Sequence, residues 1–188
     1  MLATAPKFGS CLLCAHRMVT TLDHHLPKSK YPIYSTVPIN LVPACLECNK
    51  LKIAKVLSSA DEQTLHPYFD DISTFQWLEA HVNQTNPVSF TFRVRPDATW
   101  DSTLTNRVKL HFRTLKLGAL YGANAGSELS GIRLLLQSYF NAGGFRKIRA
   151  ELESKQICFM DSNLNSWQAA MYQALNASDW FCTVGVLY

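Results

Sequence analysis

No stretch of this sequence approaches the roughly 18 consecutive apolar residues that a membrane-spanning helix needs. Its first residues, MLATAPKFGSC, hold no apolar h-region, so nothing reads as a secretory signal and a cytoplasmic protein is expected. Internal repeats and low-complexity linkers are also missing, which argues against a solenoid or a tethered array. Acidic residues are scarce at one end. Residues 1–60 contain only Asp23 and Glu47 against seven Lys or Arg, a net charge of +5, whereas residues 61–188 sum to −1. The whole positive excess therefore lies in the N-terminal third, and a local basic field is what a polyanion-binding surface requires.

What is present is a globular composition. The 188 residues are 47% hydrophobic and 17% charged, enough for a packed core, and they suit one ordinary domain or a small domain joined to a medium one. Four of the six cysteines fall in two CxxC pairs, Cys11/Cys14 and Cys45/Cys48, with thirty residues between the pairs. Two intervening residues let both thiolates turn onto one tetrahedral Zn²⁺, and two such knuckles would tie the N-terminal arm to a point well along the chain. Disulfides or free buried thiols are the alternatives, and a cytosolic chain argues against the first. His16, two residues after Cys14, is a competing ligand, disfavoured because four cysteines are already available. Cys158 and Cys182 stand alone in helical-looking sequence and read as small buried hydrophobes.

Between the knuckles, Met18 to Leu22 is a short β-prone segment running into Asp23-His24. A loop rich in Pro, Lys and Tyr follows, closed by Pro27, Pro32 and Pro38; INLVPA then reads as a second strand, and NKLKIAKVL after Cys48 has a helical pattern. Asp23 and His24 are neighbours, and neighbours in a strand point to opposite faces, so the strand must end or bend there if both serve one site. Taken singly, Asp23-His24 also reads as a surface loop and Asn49 as a helix N-cap.

The combined pattern, carried by Cys11, Cys14, Asp23, His24, Pro27, Asn40, Leu41, Cys45, Cys48, Asn49 and Lys52, resembles the HNH endonuclease family. The resemblance covers about the first 55 residues. It implies a ββα-metal fold with a structural Cys₄ zinc, His24 as general base, and Asp23 and Asn49 as ligands of a catalytic divalent cation, Mg²⁺ or another. Asn40 would brace the loop between the strands and help orient the His24 ring. The final metal position holds Asn49 rather than His, and His25 falls where the family is variable. The chemistry is consistent: phosphodiester hydrolysis needs a base for water and a cation for the developing charge. A histidine, ordinarily titrating near 6.5, suits the first task, and one carboxylate with one amide oxygen suits a hard cation. Lys28, Lys30, Lys50, Lys52 and Lys55 would contact phosphates of a DNA substrate without reading sequence, and Tyr31 and Tyr34 would stack on bases or simply pack.

From residue 61 the motif chemistry stops. LHPYFDDISTFQWLEA is aromatic-rich and reads as packing material; His66 with Asp70-Asp71 invites a second metal site but shows no further ligand. VSFTFRV, residues 88–94, alternates as a half-buried strand. Two helices follow on Leu104/Val108/Phe112/Leu115 and Leu129/Ile132/Leu135/Tyr139, with a stop at Gly143-Gly144 and two more helices beyond. Trp167, Trp180 and Phe181 are expected to complete the core.

The expected architecture is thus α+β: an HNH module over 1–60 and a mainly helical extension over 61–188 with one short strand. The expected function is a metal-dependent DNA endonuclease. LHPYFDDI and the C-terminal NSWQAAMYQALNASDWFC also look like long bacterial HNH proteins, some of which resemble the nuclease partner of an ATPase in Septu-type antiphage systems. That likeness implies an ATPase or sensor partner and a role in antiviral defence. The alternatives are a zinc-stabilised nucleic-acid-binding module without catalysis, and a nuclease silent until its partner engages.

Overall fold

A computed structural model describes residues 9–52, 54 and 58–188. The fold is mixed α/β, with a mostly helical C-terminal region. It divides into two compact units: the described residues up to Asp71 together with Trp100–Leu117, and Ile72–Thr99 together with Gly118–Tyr188. The first unit thus draws together segments far apart in the chain, and one anchor between them is an arginine. On helix α2 (Ser102–Thr114), Arg107 donates to both carboxylate oxygens of Asp70 and to the carbonyl of Thr64, at 2.8 Å to Asp70 Oδ1 and 3.3 Å to Thr64.

In the first unit, strands β1 (Thr21–His24) and β2 (Leu41–Ala44) pair antiparallel, with Asp23 opposite Val42 and His24 opposite Leu41. Burial alternates as a half-buried strand requires: Asp23 is buried while Leu22 beside it is exposed. Pro43 cannot donate to a ladder, and a two-stranded sheet tolerates it because both strands are edges. Helix α1 (Leu46–Leu51) follows β2 directly. Its N-cap is Cys45, whose Sγ accepts from the Cys48 backbone N–H at 3.4 Å, so Asn49 lies inside the helix and is not its cap. The helix starts earlier than NKLKIAKVL suggests; Ile53 and residues 55–57 of that segment lie outside the described residues, as does Lys55. Tyr68 donates its hydroxyl to the Leu41 carbonyl at 2.9 Å, and a ring nitrogen of His111 on α2 bonds the Leu13 carbonyl at 2.7 Å. The first contact fastens the Tyr68 segment to the hairpin, and the second fastens α2 to the turn between Cys11 and Cys14.

In the second unit, strands β3 (Leu78–Asn83) and β4 (Ser89–Val94) form an antiparallel hairpin, so this region holds two strands where one was expected. LEAHVN was missed because Leu, Glu and Ala favour helices; its strand state is set by pairing with β4. Phe90 and Phe92 are buried, as the alternation of VSFTFRV requires. Helix α3 (Leu117–Ser162) passes close to β4 at Gly122, where a Cβ would sit 3.1 Å from the Phe90 carbonyl oxygen. It is broken at Gly144, whose φ of 62° and ψ of −155° are non-helical, at the expected stop. Helices α4 (Trp167–Ala177) and α5 (Asp179–Thr183) bury Trp167 and Phe181 in the core. On α3 the inward residue is Leu136, while Leu135 is exposed, a one-residue shift that the Leu134-Leu135-Leu136 run leaves open to either reading. Cys182 is buried as expected; Cys158 is exposed, contrary to expectation, because it falls on an outward face of α3.

Candidate active site and metal centre

Two short turns bring the cysteines together. Cys11 opens a tight turn in which its N–H donates to the Arg17 carbonyl at 2.7 Å and its carbonyl accepts from Ala15 at 2.8 Å, with Ala15 at φ 50°. Cys45 and Cys48 lie on the first turn of α1. All four thiols are buried and their sulfur atoms lie within 4.8 Å of one another. A tetrahedron with metal–sulfur bonds of about 2.3 Å has sulfurs about 3.8 Å apart, so one metal ion such as zinc fits this cluster. His16 is not part of it. The Cys14 thiol is pushed well below the ordinary thiol range, first by hydrogen bonding with Cys11 and then with Cys48, while hydrogen bonding with Cys11, then with Cys14, and then burial push Cys48 up. A cluster that stabilises one thiolate at the expense of the next is relieved when a cation neutralises them together.

Beside this centre, in the same unit, a cleft of about 700 Å³ is lined by Asp23, His24, His25, Lys28, Asn49 and Lys52, with Arg113 on its α2 wall. Both neighbours, Asp23 and His24, reach it because β1 ends at His24. A ring nitrogen of His24, Nε2, lies 3.0 Å from the Ser35 carbonyl oxygen. A carbonyl can only accept, so Nε2 carries the proton and Nδ1 is left with the basic lone pair. Asn40 is buried and fully used: Oδ1 accepts from the Leu26 N–H at 2.6 Å, and Nδ2 donates to the carbonyls of Leu26 and Tyr34 at 3.1 Å each. It ties the two ends of the loop that carries Ser35, and so acts on His24 through that loop without touching the ring.

Asn49 donates its Nδ2 to Thr21 Oγ1 at 3.1 Å, which leaves Oδ1 as an oxygen donor without a hydrogen bond among the described residues. Asp23 binds the Lys52 ammonium through Oδ2 at 2.5 Å, which leaves its Oδ1 likewise. One carboxylate oxygen and one amide oxygen lining one cleft are hard ligands of the type a divalent cation takes.

Of the expected phosphate-contacting lysines, Lys28, Lys30 and Lys50 are exposed. Lys52 is different: its side chain is only 11% exposed and is held by Asp23, so it is no free surface cation. Among the described residues, His66 and Asp70 belong to no cluster of metal-ligating groups. Asp70 is occupied by Arg107 and by the His66 backbone N–H at 2.6 Å, while the His66 ring packs 4.1 Å from the His25 ring. Burial first, then the charge of Lys52, pushes His25 down to about 3. His25 is thus kept as a neutral packing group. Tyr34 is exposed and Tyr31 partly so. Arg113 was not anticipated. The signal was present, since residues 102–116 contain Arg107, Lys109, Arg113 and Lys116 and no acid, but the near-neutral sum of the C-terminal two thirds concealed it.

Protein ea31 of Escherichia phage lambda is similar to this chain, with 32% identity over 175 residues, covering 85% of this chain and 59% of that protein. The chain thus spans about three fifths of the length of the curated relative it matches. No family model matches the chain, and no solved structure does. Among the described residues, no helix is long and apolar enough to cross a membrane.

Proposed function

We propose that the protein is a metal-dependent endonuclease of the HNH type, acting on DNA, with zinc in the cysteine cluster. The observation that carries the reading is the shared cleft of Asp23, His24 and Asn49, with His24 held through Nε2 so that Nδ1 is the free base. His24 Nδ1 takes a proton from water; the water oxygen bonds to phosphorus, and the bond from phosphorus to the 3′ oxygen breaks. The departing 3′ oxygen takes a proton from solvent water, so that cleavage leaves a 3′-hydroxyl and a 5′-phosphate. Asp23 and Asn49 would hold a divalent cation, which when bound neutralises charge on the phosphorane and the leaving oxygen. Asn40 holds the loop whose Ser35 carbonyl fixes the His24 ring, and Lys28, Lys30 and Lys50 supply sequence-independent attraction to phosphates. The cysteine cluster holds β1, β2 and α1 in the register that brings these groups together.

A second reading is a zinc-stabilised nucleic-acid-binding module, inert by itself or until a partner ATPase engages it. It is favoured by the ion pair of Lys52 with Asp23, which places a cation on one of the two groups that would hold the metal. Plasmid cleavage with Mg²⁺ or Mn²⁺, with His24→Ala beside the wild type and zinc measured in both, separates the two. Nicking by the wild type and loss of about 10²-fold or more in the zinc-loaded variant is the expected result. Two folded, zinc-loaded and equally inert proteins would leave the binding module.

A further inference from the structure

Resting on the nucleic-acid reading above, we propose that Arg113 is a phosphate-binding residue of the cleft, gripping the substrate backbone from the α2 wall. Arg113 is exposed, lines the same cleft as Asp23 and His24, and its side chain makes no hydrogen bond or ion pair among the described residues. Arg107, six residues earlier on the same helix, shows what a structural arginine looks like here: it is occupied by Asp70 and Thr64. Neither acid lining the cleft is paired with Arg113: Asp23 Oδ2 is held by Lys52, and Glu62 Oε2 accepts from the backbone N–H and hydroxyl of Ser58 at 3.1 and 2.9 Å. An exposed arginine on a cleft wall that pairs with neither acid of the cleft is a site for an anion that comes from outside, and its planar fork matches two oxygens of one phosphate.

The helix is also a firm mount. Leu110, Arg113 and Thr114, spaced i, i+3 and i+4, form the strip of α2 that faces the cleft. The same helix is anchored by Arg107 to Asp70 and by the buried His111 ring to the Leu13 carbonyl inside the first cysteine knuckle. Arg113 is therefore held in position relative to His24 by the scaffold of the site itself. Such a residue fixes where the backbone lies along the cleft, in addition to attracting it.

The test is binding of a fluorescein-labelled 30-base-pair DNA duplex, followed by anisotropy over a range of salt concentrations in a His24→Ala background that cannot cut. Arg113→Gln should weaken binding about 10-fold at about 0.1 M salt and lower the slope of log K against log salt by about one. Arg113→Lys should recover part of the loss. Lys109→Gln, an exposed position on α2 outside the cleft, should bind within about twofold of its parent. Equal weakening by Lys109→Gln, no weakening by Arg113→Gln, or no duplex binding by the parent would each overturn the proposal. Plasmid cleavage by the protein with His24 intact reports separately on the nuclease reading. If that protein never cuts but Arg113→Gln still weakens binding selectively, the nuclease reading fails and the phosphate site stands. If it cuts and Arg113→Gln binds normally, the reverse holds.

Discussion

The ammonium of Lys52 stands 2.5 Å from the Asp23 carboxylate, with only 11% and 5% of the two side chains exposed. A carboxylate this buried needs a cationic partner, and Lys52, one residue past α1, supplies it. A divalent cation bound at Asp23 would share or displace that partner. Lys52→Met should therefore destabilise the metal-free protein by about 3 kcal/mol, because Asp23 is left buried and unpaired. Saturating Mn²⁺ should recover more stability in the variant than in the wild type. Thermal unfolding with and without Mn²⁺ reads both effects, and an equal response of the two proteins would refute the competition.

The cysteine cluster should be the chief support of the first unit. Structural zinc contributes about 10 kcal/mol or more, comparable to the whole stability of a typical domain. Cys11→Ser, or a strong chelator, should release one metal ion per chain and melt β1, β2 and α1. Amide exchange at Thr21–His24 and Leu41–Ala44 is the direct readout. Protection that survives metal removal would show that the hairpin stands without it.

Asn40 closes the loop with three side-chain hydrogen bonds, two of them donated to carbonyls. Asn40→Asp keeps the acceptor and sets a carboxylate against the Leu26 and Tyr34 carbonyls. A loss of about 2–4 kcal/mol is expected. If cleavage is observed for the wild type, kcat should fall more than KM rises, because the Ser35 carbonyl that orients His24 rides on this loop. Normal kcat in a destabilised variant would leave Asn40 a purely structural residue.

Burial pushes His111 down to about 4, against the Leu13 carbonyl and the nearby Cys11 and Asp70, which favour its charged form. In the unfolded chain a histidine titrates near 6.5, so below that pH the unfolded state takes up the proton more readily than the folded one. Stability is therefore full above about pH 6.5 and falls as the pH drops toward 4, by on the order of 1.4 kcal/mol per unit at most from this group. His111→Gln, whose amide can still donate to Leu13, should flatten that part of the profile. Parallel profiles for the two proteins between pH 4 and 6.5 would exclude His111 as the cause.

Much of the site was legible because its parts are local. The CxxC spacing, the Asp23-His24 step, the prolines of the loop and Asn40 at the entrance to β2 each constrain chemistry within a few residues, and the cysteine cluster forms where the spacing says it should. The break at Gly144 and the alternation of Phe90 and Phe92 were legible for the same reason: each follows from a backbone preference or a short period.

The less legible features all depend on contacts between distant segments. LEAHVN has no strand signature of its own and becomes β3 only when β4 supplies its partners. Lys52 reads as one basic residue among several until a separation of 29 residues in sequence closes to an ion pair with Asp23. Arg107 and Arg113 share a helix and a charge, and nothing in the chain order says that the first is occupied by Asp70 and the second faces the cleft. Sequence alone thus determined which chemical groups this protein has and the local turns that present them. Tertiary structure alone decided which charges neutralise one another and which stay open, because pairing energy falls off within a few ångströms and only the folded chain sets those distances.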